Sequence, residues 1–300
     1  TLANEAAVAN LLAGKRTLCL VNGEFGKRIG EACQIYNPDR TKILNIPDGQ
    51  GINAERVRAE LEAFSPEWVT IVHNETATGV TNDIQGVAAL CHEKGAKILV
   101  DAVSSLGGID VRMDAWGIDA CTSASQKSLA APPGLGFVAV SPAAMDEIAA
   151  KTFVHTFGLD LRRYKKFYDK NETPYTPSLP TFYGLLVALR ELEADGLENR
   201  FAAHAKAAAI ARKTVLDAGF ALFAEEGFQS DTITAFLTDQ AVEIKKAVQA
   251  QGVEIAGGQG QWKGKMLRIA TIGSEECENI QLCADALSAA CAKKAEVAVA

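Results

Sequence analysis

The chain has 300 residues, of which 48% are apolar and 22% charged, with 30 Lys+Arg against 37 Asp+Glu for a formal net charge of −7. These proportions exclude disorder, collagen and coiled coil, and a chain this long buries roughly three-quarters of its unfolded surface in a full core. No run approaches the ~20 apolar residues of a membrane-spanning helix, and no basic block invites nucleic acid or an anionic membrane, so neither partner is expected.

The chain begins at Thr1, and Thr1-Leu2-Ala3-Asn4-Glu5 enters a helix at once, an abrupt start that reads as a fragment of something longer. Apolar residues at three- and four-residue spacing predict helices near 3–13, 26–34, 53–63, 83–94 and 142–150. Short β-branched runs between them predict strands at 17–21, 68–72, 97–100 and 136–140. Strands alternating with helices mean βαβ units and a mostly parallel sheet, and unbroken apolar runs mean that both faces are covered. Residues 153–180 are polar, aromatic and proline-containing and read as a surface excursion. A long helical region follows near 181–217, then a strand (232–237), a helix (240–251), a strand (265–271) and a helix (275–292). The expected architecture is α/β, with a large domain over 1–194 and a smaller α+β domain over 195–300.

Ligands of a parallel sheet bind beyond the carboxyl ends of its strands, so the polar residues that follow the apolar runs are the first candidates. After Val21 comes Asn22-Gly23-Glu24-Phe25-Gly26, which alone is best explained as a plain βα turn with a core phenylalanine. After Val72 comes His73-Asn74-Glu75-Thr76-Ala77-Thr78-Gly79, more polar than one helix cap requires. Asp101 closes a buried strand, where a carboxylate is costly unless it meets a cation or donors. Lys127 is the one charge between Cys121 and Met145. It is balanced between a solvated lysine and a desolvated one with a lowered pKa, able to act as a nucleophile or form a Schiff base. Seven scattered cysteines without a CxxC pair read as reduced thiols of a cytoplasmic protein, and the four histidines lack metal-ligand spacing, so no metal is expected. Walker A, G-x-S-x-G and dinucleotide fingerprints are absent.

Val100-Asp101-Ala102-Val103-Ser104-Ser105-Leu106-Gly107-Gly108, with Ser125-Gln126-Lys127-Ser128-Leu129-Ala130-Ala131-Pro132-Pro133-Gly134 following it, resembles the class V pyridoxal-phosphate aminotransferases. The similar branch is the alanine–glyoxylate/serine–pyruvate aminotransferase group, and the likeness covers essentially the whole chain. It implies the type I pyridoxal-phosphate transferase fold, pyridoxal 5′-phosphate as cofactor, and transfer of an amino group from a small L-amino acid to a 2-oxo acid. It also implies a homodimer.

Carried over position by position, the resemblance makes Lys127 the covalent attachment point and proton carrier, and Asp101 the partner of the pyridine nitrogen. Phe25 would stack on the ring, where many relatives have Trp. Thr76 would lie near the ring hydroxyl and substrate, and His73 and Ser105 close to the ring. Gln126 and Thr1 would serve the phosphate, and Thr173 and Thr176 would reach a neighbouring subunit's phosphate. Arg268 would clamp the substrate carboxylate bidentately. Relatives precede the first helix with a Gly-Ser-Gly-Thr-like loop, and Thr1 matches its last residue, so the resemblance reads the chain as N-terminally truncated.

Three alternatives stand beside this reading. A cysteine desulfurase-like lyase would have histidines where Gln126 and Phe25 stand. A phosphonate aminotransferase would share every motif. A non-catalytic truncated subunit on the same fold sits poorly with the retained Lys127, Asp101, Gln126 and Arg268.

Overall fold

The apolar runs at 17–21, 68–72 and 97–100 become strands buried on both faces, whereas the run at 136–140, expected to be covered likewise, is a half-exposed strand because it stands at the edge of the sheet. A computed structural model describes the backbone of residues 1–273 and 279–299, and side chains as far as 292. Helix α1 (Leu2–Ala7) runs into one wide turn (Val8–Leu12) and is followed by β1 (Thr17–Val21), α2 (Glu24–Tyr36), β2 (Thr41–Asn45), α3 (Ala54–Phe64) and β3 (Trp68–Val72). A short hairpin, β4 (Asn74–Glu75) and β5 (Val80–Thr81), precedes α4 (Ile84–Glu93), β6 (Lys97–Asp101), β7 (Ala120–Ala124), β8 (Gly136–Val140) and α5 (Pro142–Ala150). The main sheet has the order β2-β1-β3-β6-β7-β8. Every neighbouring pair in it is parallel except β7 with β8.

Alternation along the central strands sends side chains into two cores. Leu18, Leu20, Val69, Ile71, Ile98 and Val100 pack with Val57 and Leu61 of α3 and Ile84 and Val87 of α4. Cys19, Val21, Trp68, Val72 and Leu99 pack on the other face with Leu11, Leu12, Ile29 of α2 and Ile148 of α5. Each such side chain contributes about 2 kcal/mol of burial, so this sandwich is the rigid platform for the strand ends. Side-chain caps fix where the covering helices begin: Asn53 accepts from the Arg56 N–H at 3.0 Å and Asp83 from the Gly86 N–H at 2.9 Å.

Two strands of the main sheet lie outside the predicted set. Thr41-Lys42-Ile43-Leu44-Asn45 is a half-polar edge strand, held by β1 on one side only. Ala120-Cys121-Thr122-Ser123-Ala124 has small, hydroxylic residues of weak strand propensity, and is enforced by pairing with β6 and β8. The expected excursion carries a helix of its own, α6 (Leu161–Tyr168), capped by Asp160, which accepts from the Arg162 N–H at 3.0 Å. The expected single helical region is two helices, α7 (Leu179–Asp195) and α8 (Leu197–Asp217), because Gly196 takes φ +81° between them.

A further core belongs to the C-terminal third. Strands β9 (Ile233–Leu237), β10 (Ala256–Gly257) and β11 (Met266–Ala270) form an antiparallel sheet of order β10-β11-β9. Helices α8, α9 (Ala241–Gln249) and α10 (Ile280–Val299) cover it, with Phe236, Ile244, Val248, Leu267, Ile269 and Leu287 at the centre. The predicted start of the last helix at 275 lies outside the described residues, as does Cys277. Among the described residues no helix is long and apolar enough to cross a membrane, and no cluster of His, Cys, Asp or Glu could hold a metal ion.

Candidate active site

The carboxyl ends of β1, β3, β6 and β7 open onto a cleft of about 320 Å³ whose wall includes Phe25, Thr76, Asp101, Ser104, Gln126 and Lys127. Thr1 and Asn4 of the first helical turn close one side of it. A wider opening of about 540 Å³ runs along α8 beside Asp195, Arg200 and Lys206, but among the described residues no lysine faces a buried carboxylate there.

Asp101 ends a strand buried on both faces and is itself buried. Its Oδ1 accepts from the Val103 N–H at 2.8 Å and its Oδ2 from Asn4 Nδ2 at 2.6 Å. Burial raises its proton affinity, and these two donors, with the charges of the chain's amino terminus and of Lys127, oppose that. Lys127 follows β7. Among the described residues its Nζ has no hydrogen-bond or ion-pair partner, and burial lowers its pKa, with the nearby Arg268 charge adding to the effect and Asp101 opposing it.

Arg268 stands on β11 and is almost wholly buried. Its Nε and Nη2 donate to the Gly257 carbonyl at 3.0 and 2.8 Å, and its Nη1 donates to the Thr76 carbonyl at 2.7 Å. A guanidinium has five N–H groups, so one on each Nη remains for a ligand, the pair that a carboxylate can take bidentately. Burial lowers its pKa, countered by Glu75.

The loop after β3 is a packed polar network. Thr76 Oγ1 donates to Ser104 Oγ at 2.7 Å, and Ser104 Oγ donates to the Asn74 carbonyl at 2.7 Å. Asn74 Nδ2 reaches Thr232 Oγ1 at 2.8 Å, across to the small unit. Glu75 is fully buried, with Oε2 accepting from the Phe25 and Gly26 N–H groups at 3.0 Å each and Oε1 from the Ala77 N–H at 3.0 Å. It therefore caps α2 in place of a local side chain and sets the position of Phe25. Burial pushes its pKa up to about 7 against those three donors. A Cβ at Gly23 would lie 2.4 Å from Glu75 Cγ, which is the physical reason for glycine in that turn.

The remaining predicted positions divide. Phe25, Thr76, Asp101, Gln126, Lys127 and Thr1 share the cleft, and Arg268 meets it through Thr76. The His73 ring instead stands edge-on to Trp116 with centroids 6.0 Å apart, and burial lowers its pKa to about 4. Ser105 is fully buried beneath the wall, and among the described residues its Oγ and His73 Nδ1 both lack a hydrogen-bond partner. Thr173 and Thr176 are exposed on the segment beyond α6 and lie apart from the cleft within one chain. Asn4, Glu75 and Ser104 were not singled out beforehand. Only Glu75 carried a readable signal, an acid in the loop after a buried strand.

These residues fit pyridoxal phosphate. A buried carboxylate without an ion-pair partner suits a protonated ring nitrogen, an unpartnered desolvated amine suits a carbonyl carbon, and Phe25 supplies an aromatic wall.

Comparison with known proteins agrees with this geometry. Residues 31–271 match the family Aminotransferase class-V. The chain is 35% identical over 281 residues to the L-aspartate–glyoxylate aminotransferase of Paracoccus denitrificans, covering 90% of this chain and 70% of the relative. It is 36% identical to the soluble hydrogenase small subunit of a Synechococcus species, covering 98% and 78%. The crystal structure of the alanine–glyoxylate aminotransferase of a Nostoc species superposes with a TM-score of 0.90 at 30% identity, over 96% of this chain and 78% of that one. The fold is the type I aminotransferase fold, and the chain is an aminotransferase. It belongs to the class-V family, whose membership implies dependence on pyridoxal phosphate.

Proposed function

We propose that the chain moves the amino group of a small L-amino acid, alanine or serine, to a 2-oxo acid such as glyoxylate or pyruvate. The supporting observation is the meeting in one cleft wall of buried Asp101, unpartnered Lys127 and the Arg268–Thr76 contact. When bound, pyridoxal phosphate supplies an electrophilic carbonyl carbon and an electron-withdrawing ring. Asp101 holds the positive charge on the ring nitrogen. Phe25 would cover the ring face, Thr76 would meet its hydroxyl, and His73 and Ser105 would back the wall. Gln126 and Thr1 donate at the phosphate end. Arg268 binds the substrate α-carboxylate with its two spare N–H groups. Lys127 Nζ would be the group that holds the cofactor and, as a free amine, would take the proton from the substrate Cα. Its lowered pKa raises the free-amine fraction near neutral pH.

A homodimer is part of this proposal. α7 exposes Leu179, Phe182, Tyr183, Leu186, Val187 and Leu189, a patch suited to a second copy of the chain. Thr173 and Thr176 would then serve the cofactor of the neighbouring subunit. The boundary between the cofactor-binding unit and the small unit is proposed at residue 195, beside the Gly196 turn.

The lyase alternative needs a reactive thiol. Burial pushes the Cys283 thiol up to about 11, a resting rather than a nucleophilic state. Incubating the loaded chain with glyoxylate and a panel of L-alanine, L-serine, L-aspartate, L-cysteine and 2-aminoethylphosphonate, then quantifying glycine and sulfide, tests the reading. Glycine formed fastest with alanine or serine supports it. Sulfide from cysteine, or glycine formed only with the phosphonate, replaces it with the corresponding alternative.

A further inference from the structure

One contact in the cleft wall has no counterpart among the residues already given a role. Asp101 and Thr122 are register partners on the neighbouring parallel strands β6 and β7, and both are buried. Asn4, from α1, meets both of them. Its Nδ2 donates to Asp101 Oδ2 at 2.6 Å, and Thr122 Oγ1 donates to its Oδ1.

The orientation of that amide follows from chemistry. An ionised carboxylate can only accept, so the NH₂ end of Asn4 must face Asp101. The carbonyl end must then face Thr122, whose hydroxyl is left to donate. The Asp101 carboxylate thus fixes which way round the amide stands, the Thr122 hydroxyl holds its carbonyl end in place, and the amide favours the charged form of Asp101. With one donor on each oxygen, from Val103 and Asn4, the carboxylate keeps two of its four lone-pair directions for a ligand.

We propose that Asn4, anchored by Thr122, is a positioning residue that holds Asp101 as an ionised, oriented acceptor for a protonated aromatic nitrogen. The inference rests on the reading of the cleft as a pyridoxal-phosphate site. Among the described residues, the amino group of Thr1, Lys127 after β7, Glu75 on β4 and Cys121 on β7 are the titratable groups linked to Asp101 by charge, and all four stay unchanged in the test.

The experiment compares the wild-type full chain with Asn4→Leu, Thr122→Val and Thr122→Ser. Circular dichroism checks folding. The two readouts are the dissociation constant for pyridoxal phosphate and the pH midpoint of the visible band of the Lys127-linked cofactor. A less ionised Asp101 leaves the ring nitrogen less charged and the nitrogen joining Lys127 to the cofactor more basic. Asn4→Leu and Thr122→Val are therefore expected to move the midpoint up by about half a pH unit or more, and to weaken cofactor binding several-fold to about tenfold. Thr122→Ser, which keeps the hydroxyl, should stay near wild type.

A midpoint and dissociation constant unmoved in a folded Asn4→Leu chain overturn the proposal and leave the cofactor reading intact. A lower melting temperature with an unmoved midpoint shows a merely structural tie and also overturns it. If Asn4→Leu does not fold, the contrast between Thr122→Val and Thr122→Ser decides. A wild-type chain with no Lys127-dependent band overturns the cofactor reading and this inference together.

Discussion

Arg268 Nη1 donates to the carbonyl oxygen of Thr76 at 2.7 Å, joining β11 of the small unit to the loop after β3 of the main sheet. The guanidinium is thereby held in one orientation from two sides, with Gly257 as the other anchor. A flexible ammonium cannot reproduce a planar fork between two carbonyls. Arg268→Lys should raise KM for the amino acid by about tenfold or more, the loss expected for a bidentate charged pair. The cofactor dissociation constant should change little. Steady-state kinetics beside a cofactor titration checks this, and equal losses in both would remove Arg268 from the substrate side.

Glu75 makes stability depend on pH. Its folded pKa, about 7, lies above the ordinary 4.5 because burial outweighs its three backbone donors. A raised folded pKa contributes stability that is complete below the unfolded value and is lost as pH rises through the folded one. The loss between about pH 4.5 and 7.5 is of order 3 kcal/mol for a shift of this size. Urea midpoints measured from pH 5 to 8 should fall more steeply in the wild type than in Glu75→Gln, which cannot titrate. Parallel pH profiles would contradict the assignment.

Gly23 and Glu75 are coupled by contact. Gly23→Ala forces a Cβ to 2.4 Å from Glu75 Cγ, so a cost of about 1–3 kcal/mol is expected from overpacking. In a Glu75→Ala background much of that cost should vanish, since the obstructing atoms are gone. A double-mutant cycle in urea measures it, and strict additivity would mean that the turn relaxes elsewhere.

Much of this site was legible because it follows a rule of parallel sheets. Asp101, Lys127 and Thr76 stand just where polar residues end or follow buried strands, and a carboxylate or lone lysine there is physically conspicuous. Strand β7 was not legible, since Ala-Cys-Thr-Ser-Ala owes its extended form to its two neighbours rather than to its own preference. Asn4 could not be found in advance, because an Asn in a first helical turn is ordinary until the fold brings Asp101 and Thr122 to it. His73 follows β3 as expected, yet its ring packs on Trp116, a partner far along the chain that no local pattern reveals.

The most direct test of the account is the site of attachment. The chain is mixed with pyridoxal phosphate, reduced with borohydride, digested and mapped by mass spectrometry, with Lys127→Ala in parallel. The account predicts one phosphopyridoxyl group on the peptide containing Lys127, a visible band before reduction that bleaches with L-alanine or L-serine, and neither in Lys127→Ala. Label spread over surface lysines, or a band unchanged by Lys127→Ala, would contradict it.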